Sequence, residues 1–341
     1  MRRVFLFSAF VCFGIGSFTQ VVEKQCFKAM SYNVENFFDC VDDSLTNDAE
    51  FLPGGMRGWN YEKYQTKQNH IGQVIASVGG WNPPAVVGLC EVETEKCLND
   101  LTRYSGLKNL HYRFVHHESP DLRGVDVALL YRPGLFKIIN ERAISIHFPN
   151  APASKTRDLL YVSGKVPTGD TLHLFVCHFP SRLGGELESD DKRTFVAAVL
   201  RGVVDSIYTV NKAPNIIIMG DFNDYPDNES IKNVLGAVQP EGEISTGNLY
   251  NLMYTYHRSG KGTHKQAGEW GALDQIIVSG NLLNVGNRFS LLPTDAHIYE
   301  AAFLLEPDEK GLGSKPFRTY VGMKYNGGYA DHLPVYADFW Y

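Results

Sequence analysis

Asn215-Ile216-Ile217-Ile218-Met219-Gly220-Asp221-Phe222-Asn223-Asp224 sets four bulky apolar residues in a row and closes them with glycine, acids and an amide. Such an uninterrupted run predicts a strand covered on both faces. A core strand has no need of that polar tip. Asp221 and Asn223 are two apart, so on an extended chain they face one side and can hold a hard cation or a phosphate between them. Asp and Asn are equally the residues that turns use, and Asp224 is assigned to such a turn. What decides between ligand and turn is whether the rest of the chain supplies partners.

It supplies several. A short strand over 27–32 runs into Asn33-Val34-Glu35-Asn36, and the apolar run 85–90 ends in Glu91-Val92-Glu93. A carboxylate at the end of a buried strand has to be paired or hold a metal, because an isolated buried charge costs several kcal/mol. Alternation puts Glu91 and Glu93 on one face, and Glu91, nearer the apolar run, is the ligand candidate. A strand over 125–131 follows. Residues 172–177 form another that ends in His178-Phe179-Pro180-Ser181-Arg182, residues 272–279 carry Asp274 near the start, and Asp331-His332 opens the last strand.

Helical spacing recurs through Tyr64, Ile71, Val74, Ile75 and Val78, closed by Gly79-Gly80, and again over 192–208. Residues 227–270 and 292–328 read as long loops. No linker or repeat divides the chain, and polar candidates running from 33 to 332 require one domain to form one site.

Met1-Arg2-Arg3, an apolar run from Val4 to Gly16 and small residues after it predict a secretory signal over residues 1–19, leaving a single domain over 20–341. The run is too short for an ordinary membrane span, so the expectation is a secreted or periplasmic protein. Loss of Arg2 and Arg3 with no acid lowers the formal charge from −6 by two, to −8. That balance excludes binding that rests mainly on many lysine and arginine contacts to a polyanion. Five cysteines remain after residue 19, with no zinc-like spacing; Cys90 and Cys177 sit in core strands.

Taken in order, Asn33, Glu91 in Leu89-Cys90-Glu91-Val92, the His178 strand, Gly220-Asp221-Phe222-Asn223, Leu273-Asp274-Gln275-Ile276 and Asp331-His332-Leu333-Pro334 resemble the endonuclease/exonuclease/phosphatase superfamily. The resemblance implies the deoxyribonuclease-I-like fold, an α/β (α+β mixed) four-layer α/β/β/α sandwich of two packed mixed sheets with outer helices. It implies phosphoester hydrolysis with Mg2+, for which Mn2+ or Ca2+ can stand in. By resemblance Glu91 is the principal metal ligand with Asn33 and Asp331 nearby. The family pattern makes His332 the general base oriented by Asp274, with Asp221 the alternative group to take the water's proton; Asp221 and Asn223 position water and phosphate, His178 donates to a phosphate oxygen or leaving group, and Arg182 contacts phosphate.

Ala330 and Cys90 stand where the family commonly has serine and glutamine, which touches neither ligand nor base. The expected substrate is a phosphate ester. A nuclease is the first reading, since Lys261, His264, Lys265, Lys315 and Arg318 form a modest basic set in the two long loops. A phosphatase or phospholipid-headgroup phosphodiesterase is the second, and a non-catalytic binding protein the third. No obligate protein partner is implied.

Overall fold

The computed structural model describes residues 24–182 and 185–341, so the signal expected over 1–19 lies outside the described residues. Two mixed sheets carry the chain. The six-stranded one centres on parallel β1 (Cys26–Phe37) and β2 (Val86–Val92). Beyond β2 lie β4 (Asp126–Tyr131) and β3 (Arg113–His116); beyond β1 lie the strands Val335–Trp340 and Ala296–Ile298. The seven-stranded sheet runs β5 (Lys137–Ile144), β6 (Leu159–Lys165), β7 (Thr171–His178), β8 (Asn215–Asp221), then the strands Asp274–Ser279, Leu249–Asn251 and Ala237–Val238. Only β7 and β8, and the two last short strands, run parallel there.

The apolar run of β8 has two faces to fill. Ile217 and Met219 join the core between the sheets with Val176, Leu174 and Ile276, while Ile216 and Ile218 join the outer core under α3 (Glu186–Val210) with Phe175, Cys177 and Leu200. The sheets approach closely at Gly88, where a Cβ would lie 3.1 Å from both Met219 and Val176. On the opposite side α1 (Tyr61–Gly79) and α2 (Glu95–Tyr104) cover the six-stranded sheet. Asn60 caps α1 by accepting from the Lys63 amide, which satisfies one of the helix's orphan donors. The expected stripe of Tyr64, Ile71, Val74, Ile75 and Val78 is buried. The result is the four-layer sandwich.

Three expectations change. The last strand begins at Val335 rather than at Asp331, because Pro334 has no N–H to give the ladder; His332 makes only an isolated bridge to His264. Part of the loop expected over 227–270 is sheet: Leu249–Asn251 pairs with Asp274–Ser279 and is buried. Alternation put Glu91 and Glu93 on one face, but a bulge between Cys90 and Val92 breaks the ladder there. Among the described residues all five cysteines are free, and no helix is long and apolar enough to cross a membrane.

Candidate active site

Strand register assembles half of the site. His178 on β7 stands opposite Asp221 on β8, and Asp221 stands opposite Asp274 on the next strand. Three polar side chains therefore lie in one row across adjacent strands, which are about 4.8 Å apart. Gly220 makes this row possible: it has a φ of 148°, and a Cβ there would sit 1.8 Å from the carbonyl oxygen of Cys177. His178 Nε2 lies 3.6 Å from Asp221 Oδ2 and 3.9 Å from Glu91 Oε1.

The other half comes from the ends of β1 and β2, where both strands leave the ladder. Glu35, Asn36 and Glu91 have φ of 51°, 59° and 66°, a region that non-glycine residues seldom adopt. Such strain persists only where surroundings hold it. Here the Asn36 amide donates to Glu91 Oε2 at 2.9 Å and the Glu35 amide donates to Asn33 Oδ1 at 3.0 Å. The Asn33 carboxamide donates across the sandwich to Asp221 Oδ2 at 3.1 Å. The bulge that turns Glu91 outward sends Glu93 inward, where its carboxylate accepts from the Asp39 amide.

His332 Nδ1 is 2.6 Å from Asp274 Oδ2, an oxygen that also accepts from the Thr263 hydroxyl. With Nδ1 so engaged, Nε2 faces Asp221 at 3.9 Å and Asp331 at 4.0 Å. Burial opposes the charged imidazole, but Asp274, Asp221 and Asp331 together raise His332 well above its ordinary value. Burial, with Asp274 alongside, pushes Asp221 up to about 6 against the pull of His332. Burial, with Arg157, Arg123 and His332 near, holds His178 well below its ordinary value.

The nine residues singled out in the sequence are thus brought to this end of the sandwich, Arg182 through the Asn223 carbonyl. Asn223 has a φ of 50°, its backbone amide donates to Asp221 Oδ1, and its carboxamide donates to the Phe179 carbonyl at 3.0 Å. Arg182 is held differently. Its Nε donates to the Asn223 carbonyl at 2.6 Å, its Nη2 to Asp224 and Asn228 at 3.2 and 3.0 Å, and it stacks on Tyr225. Asp224 is more than a turn residue, being buried, 2.7 Å from the Nε of buried Arg193, and an acceptor from Ser230.

Several residues of the site were not singled out. Glu35 is buried and accepts from the Thr319 amide at 2.7 Å and from Arg318 at 3.1 Å, and Arg318 also donates to Asp331 at 2.9 Å. Burial and Asp331 push Glu35 up to about 7 against Lys67 and Arg318. The two-residue spacing that marks Asp221 and Asn223 also joins Asn33 and Glu35, so this signal was present. The ring of His264 packs 4.8 Å from that of His332, and burial with the His332 charge lowers it to about 4. The loop sequence marks His264 only as one of the expected basic set; it is the fold that sets its ring against His332.

Three of the five residues of the expected basic set are paired within the chain. Lys265 pairs with Asp308 at 2.9 Å, Lys315 with Glu306 at 3.6 Å, and Arg318 with Glu35 and Asp331.

The donor set suits a hard divalent ion. Glu91, Asp331, Asp221 and the Asn33 carboxamide offer oxygen, and two groups of three ligand atoms, His264–Asp331–His332 and Asp221–Asp274–His332, each lie within 4.8 Å of one another.

A model of the endonuclease/exonuclease/phosphatase family matches residues 28–339. The chain belongs to that family. Its members are phosphoester hydrolases that depend on a divalent metal. No curated protein sequence matches. Among solved structures, a humanized D. rerio TDP2 is 16% identical with a TM-score of 0.55, over 92% of this chain and 98% of that one. The human nocturnin catalytic domain with bound sulfate is 17% identical at 0.53, over 93% and 97%. A Bacteroides thetaiotaomicron mannosyl-6-phosphatase is 15% identical at 0.53, over 92% and 99%. At these identities the likeness is one of fold.

Proposed function

We propose that this family member hydrolyses small phosphate esters with magnesium, or manganese or calcium in its place. Glu91, Asn33 and Asp331 would hold the ion, which when bound supplies positive charge for the phosphoryl oxygens. Asp221, fixed by Asn33 and the Asn223 amide, accepts the proton of the attacking water. His332, kept charged by its three carboxylates, stabilises negative charge on the phosphoryl group, and Asp274 sets its tautomer and orientation. His178, buried and neutral, donates a hydrogen bond to the phosphate or the departing oxygen. Arg182 braces the Asn223–Asn228 loop rather than holding phosphate. The signal sequence and export expected from residues 1–19 belong to the same reading.

The observation that carries it is the convergence of Glu91, Asn33, Asp221, His178, Asp274, His332 and Asp331 at one end of the sandwich. A small substrate is favoured over a long strand because Lys265, Lys315 and Arg318 are already paired with Asp308, Glu306 and Asp331. In addition, a cavity of about 300 Å³ is walled by Lys155, Thr156, Arg157, Ser181, Ser189 and Lys192, in the segments that precede β6 and follow His178 in the chain. The nuclease reading keeps support from the same cationic wall and from D. rerio TDP2, a neighbour of this fold solved with a single-strand DNA product.

Purified protein with Mg2+ is tested on bis-p-nitrophenyl phosphate, sugar phosphates, inositol phosphates, plasmid DNA and RNA. Turnover of a small ester, lost on His332→Ala and Glu91→Ala, supports the reading. Turnover of nucleic acid alone overturns the substrate assignment, and no turnover of any overturns the reading altogether.

A further inference from the structure

A second cluster of metal-ligating groups lies away from the catalytic row, where β3 ends and β4 begins. His116, Glu118 and Asp126 each offer a ligand atom, all within 4.8 Å of one another. His116 Nε2 is 3.6 Å from Asp126 Oδ2, and His116 Nδ1 is 3.9 Å from Glu118 Oε1. Neither separation is a hydrogen bond. A cluster of this kind needs an independent sign of a ligand, and buried polar atoms give one. Among the described residues His116 Nε2, Asp126 Oδ2 and Asp158 Oδ1 are all buried without a hydrogen-bond partner.

The remaining oxygens are satisfied, which isolates these three atoms as the unexplained ones. Asp126 Oδ1 accepts from the amide and hydroxyl of Ser119, and Asp158 Oδ2 accepts from Ser145 at 3.0 Å. Beside the cluster, Asp126, Asp158 and Ser119, though not His116 or Glu118, line a cavity of about 10 Å³ with His117, Val127, Ala143, Leu159 and Leu160. That is roughly the space that one water or one ion occupies. Among the described residues no lysine or arginine lies within ion-pair distance of Glu118, Asp126 or Asp158; His116 is the sole partner at that range. Two buried carboxylates and a third beside them thus lack a permanent cation, an arrangement that costs several kcal/mol per unpaired ion.

We propose that His116, Glu118 and Asp126, with Asp158 on the cavity wall, hold a structural zinc-class divalent ion. One imidazole among carboxylate oxygens favours a transition-series ion such as zinc, whereas magnesium takes oxygen ligands and keeps most of its water. The ion would fasten the segment that leads to Asp121 and Arg123. Asp121 pairs with Arg157 at 3.0 Å, and Arg123 Nη2 lies 3.9 Å from Glu91 Oε1, so the tie reaches the catalytic end without contributing to it.

The test is zinc content, read independently of hydrolysis. Full-length protein is stripped with chelator, loaded with Zn2+, desalted and assayed for bound metal, alongside His116→Gln and Glu118→Gln. The expected result is one zinc per chain fewer in His116→Gln than in the parent, and at least a tenfold weaker Zn2+ dissociation constant in Glu118→Gln. Glu118 is exposed, so its variant folds even where the buried histidine variant fails. A crystal soaked in Zn2+ should show an anomalous peak between His116 and Asp126. Equal zinc content and affinity in parent and variants, or a water in place of the peak, overturns the proposal. Neither result bears on whether Glu91 and His332 support turnover.

Discussion

His332 is defined by its neighbours more than by its own chemistry. A 2.6 Å contact to Asp274 fixes Nδ1, and the carboxylates around it keep the ring charged. Asp274→Asn should therefore lower kcat by about a hundredfold or more with KM little changed, as steady-state kinetics on the preferred ester would show; an unchanged kcat would deny Asp274 its orienting role. Arg182 gives the opposite expectation. Its donors are bound to Asn223, Asp224 and Asn228, so Arg182→Ala should cost about 1–3 kcal/mol in denaturant unfolding and leave KM almost unmoved. A large rise in KM with unaltered stability would make it a phosphate contact instead. The sequence signalled Arg182 only by its place after His178, and no pattern in a sequence reveals that an arginine's hydrogen bonds are already used within its own loop.

At the scale of elements, the site is made where strands depart from regularity. Gly220 lets β8 run against β7 at a distance no side chain tolerates; Gly220→Ala should destabilise by more than about 4 kcal/mol, measured as loss of folded protein or a collapsed melting temperature. The bulge at Glu91 has a pH consequence through Glu93. Burial, with the charges of Asp39, Asp48 and Asp43, raises Glu93 from 4.5 to about 8. A raised folded value means that the protonated form favours folding, so this stabilisation is complete below 4.5 and is lost as pH rises through about 8. Glutamine keeps the neutral form at every pH, so Glu93→Gln should overtake the parent in stability across that window; parallel melting curves for the two proteins would contradict it.

Periodicity exposed β2, β7, β8 and the strand Asp274–Ser279 because each is buried on both faces. It exposed neither β6, although that strand is buried along nearly its whole length, nor β5, an edge strand whose Lys137, Asn140, Glu141 and Arg142 are exposed, since an edge strand carries polar residues where a core strand cannot.

For the whole molecule, the sandwich was legible because its polar residues stand at the ends of apolar runs, in an order that resembles the family. The less legible part is what the long loops do. Their lysines and arginines look available in a sequence, yet folding sets Lys265 against Asp308 and Arg318 between Glu35 and Asp331, and it lays His264 against His332. Those pairings link residues far apart in the chain, beyond the reach of local spacing. They pair three of the cations expected in those loops with carboxylates of the chain itself. The most direct test is the initial rate of phosphate-ester hydrolysis as Mg2+ is titrated into chelator-treated protein, for the parent and for Glu91→Gln. Saturable activation of the parent, with the variant about a hundredfold or more slower at every concentration, is the predicted result; a parent that works equally well without divalent metal, or a variant that keeps the parental rate, would contradict it.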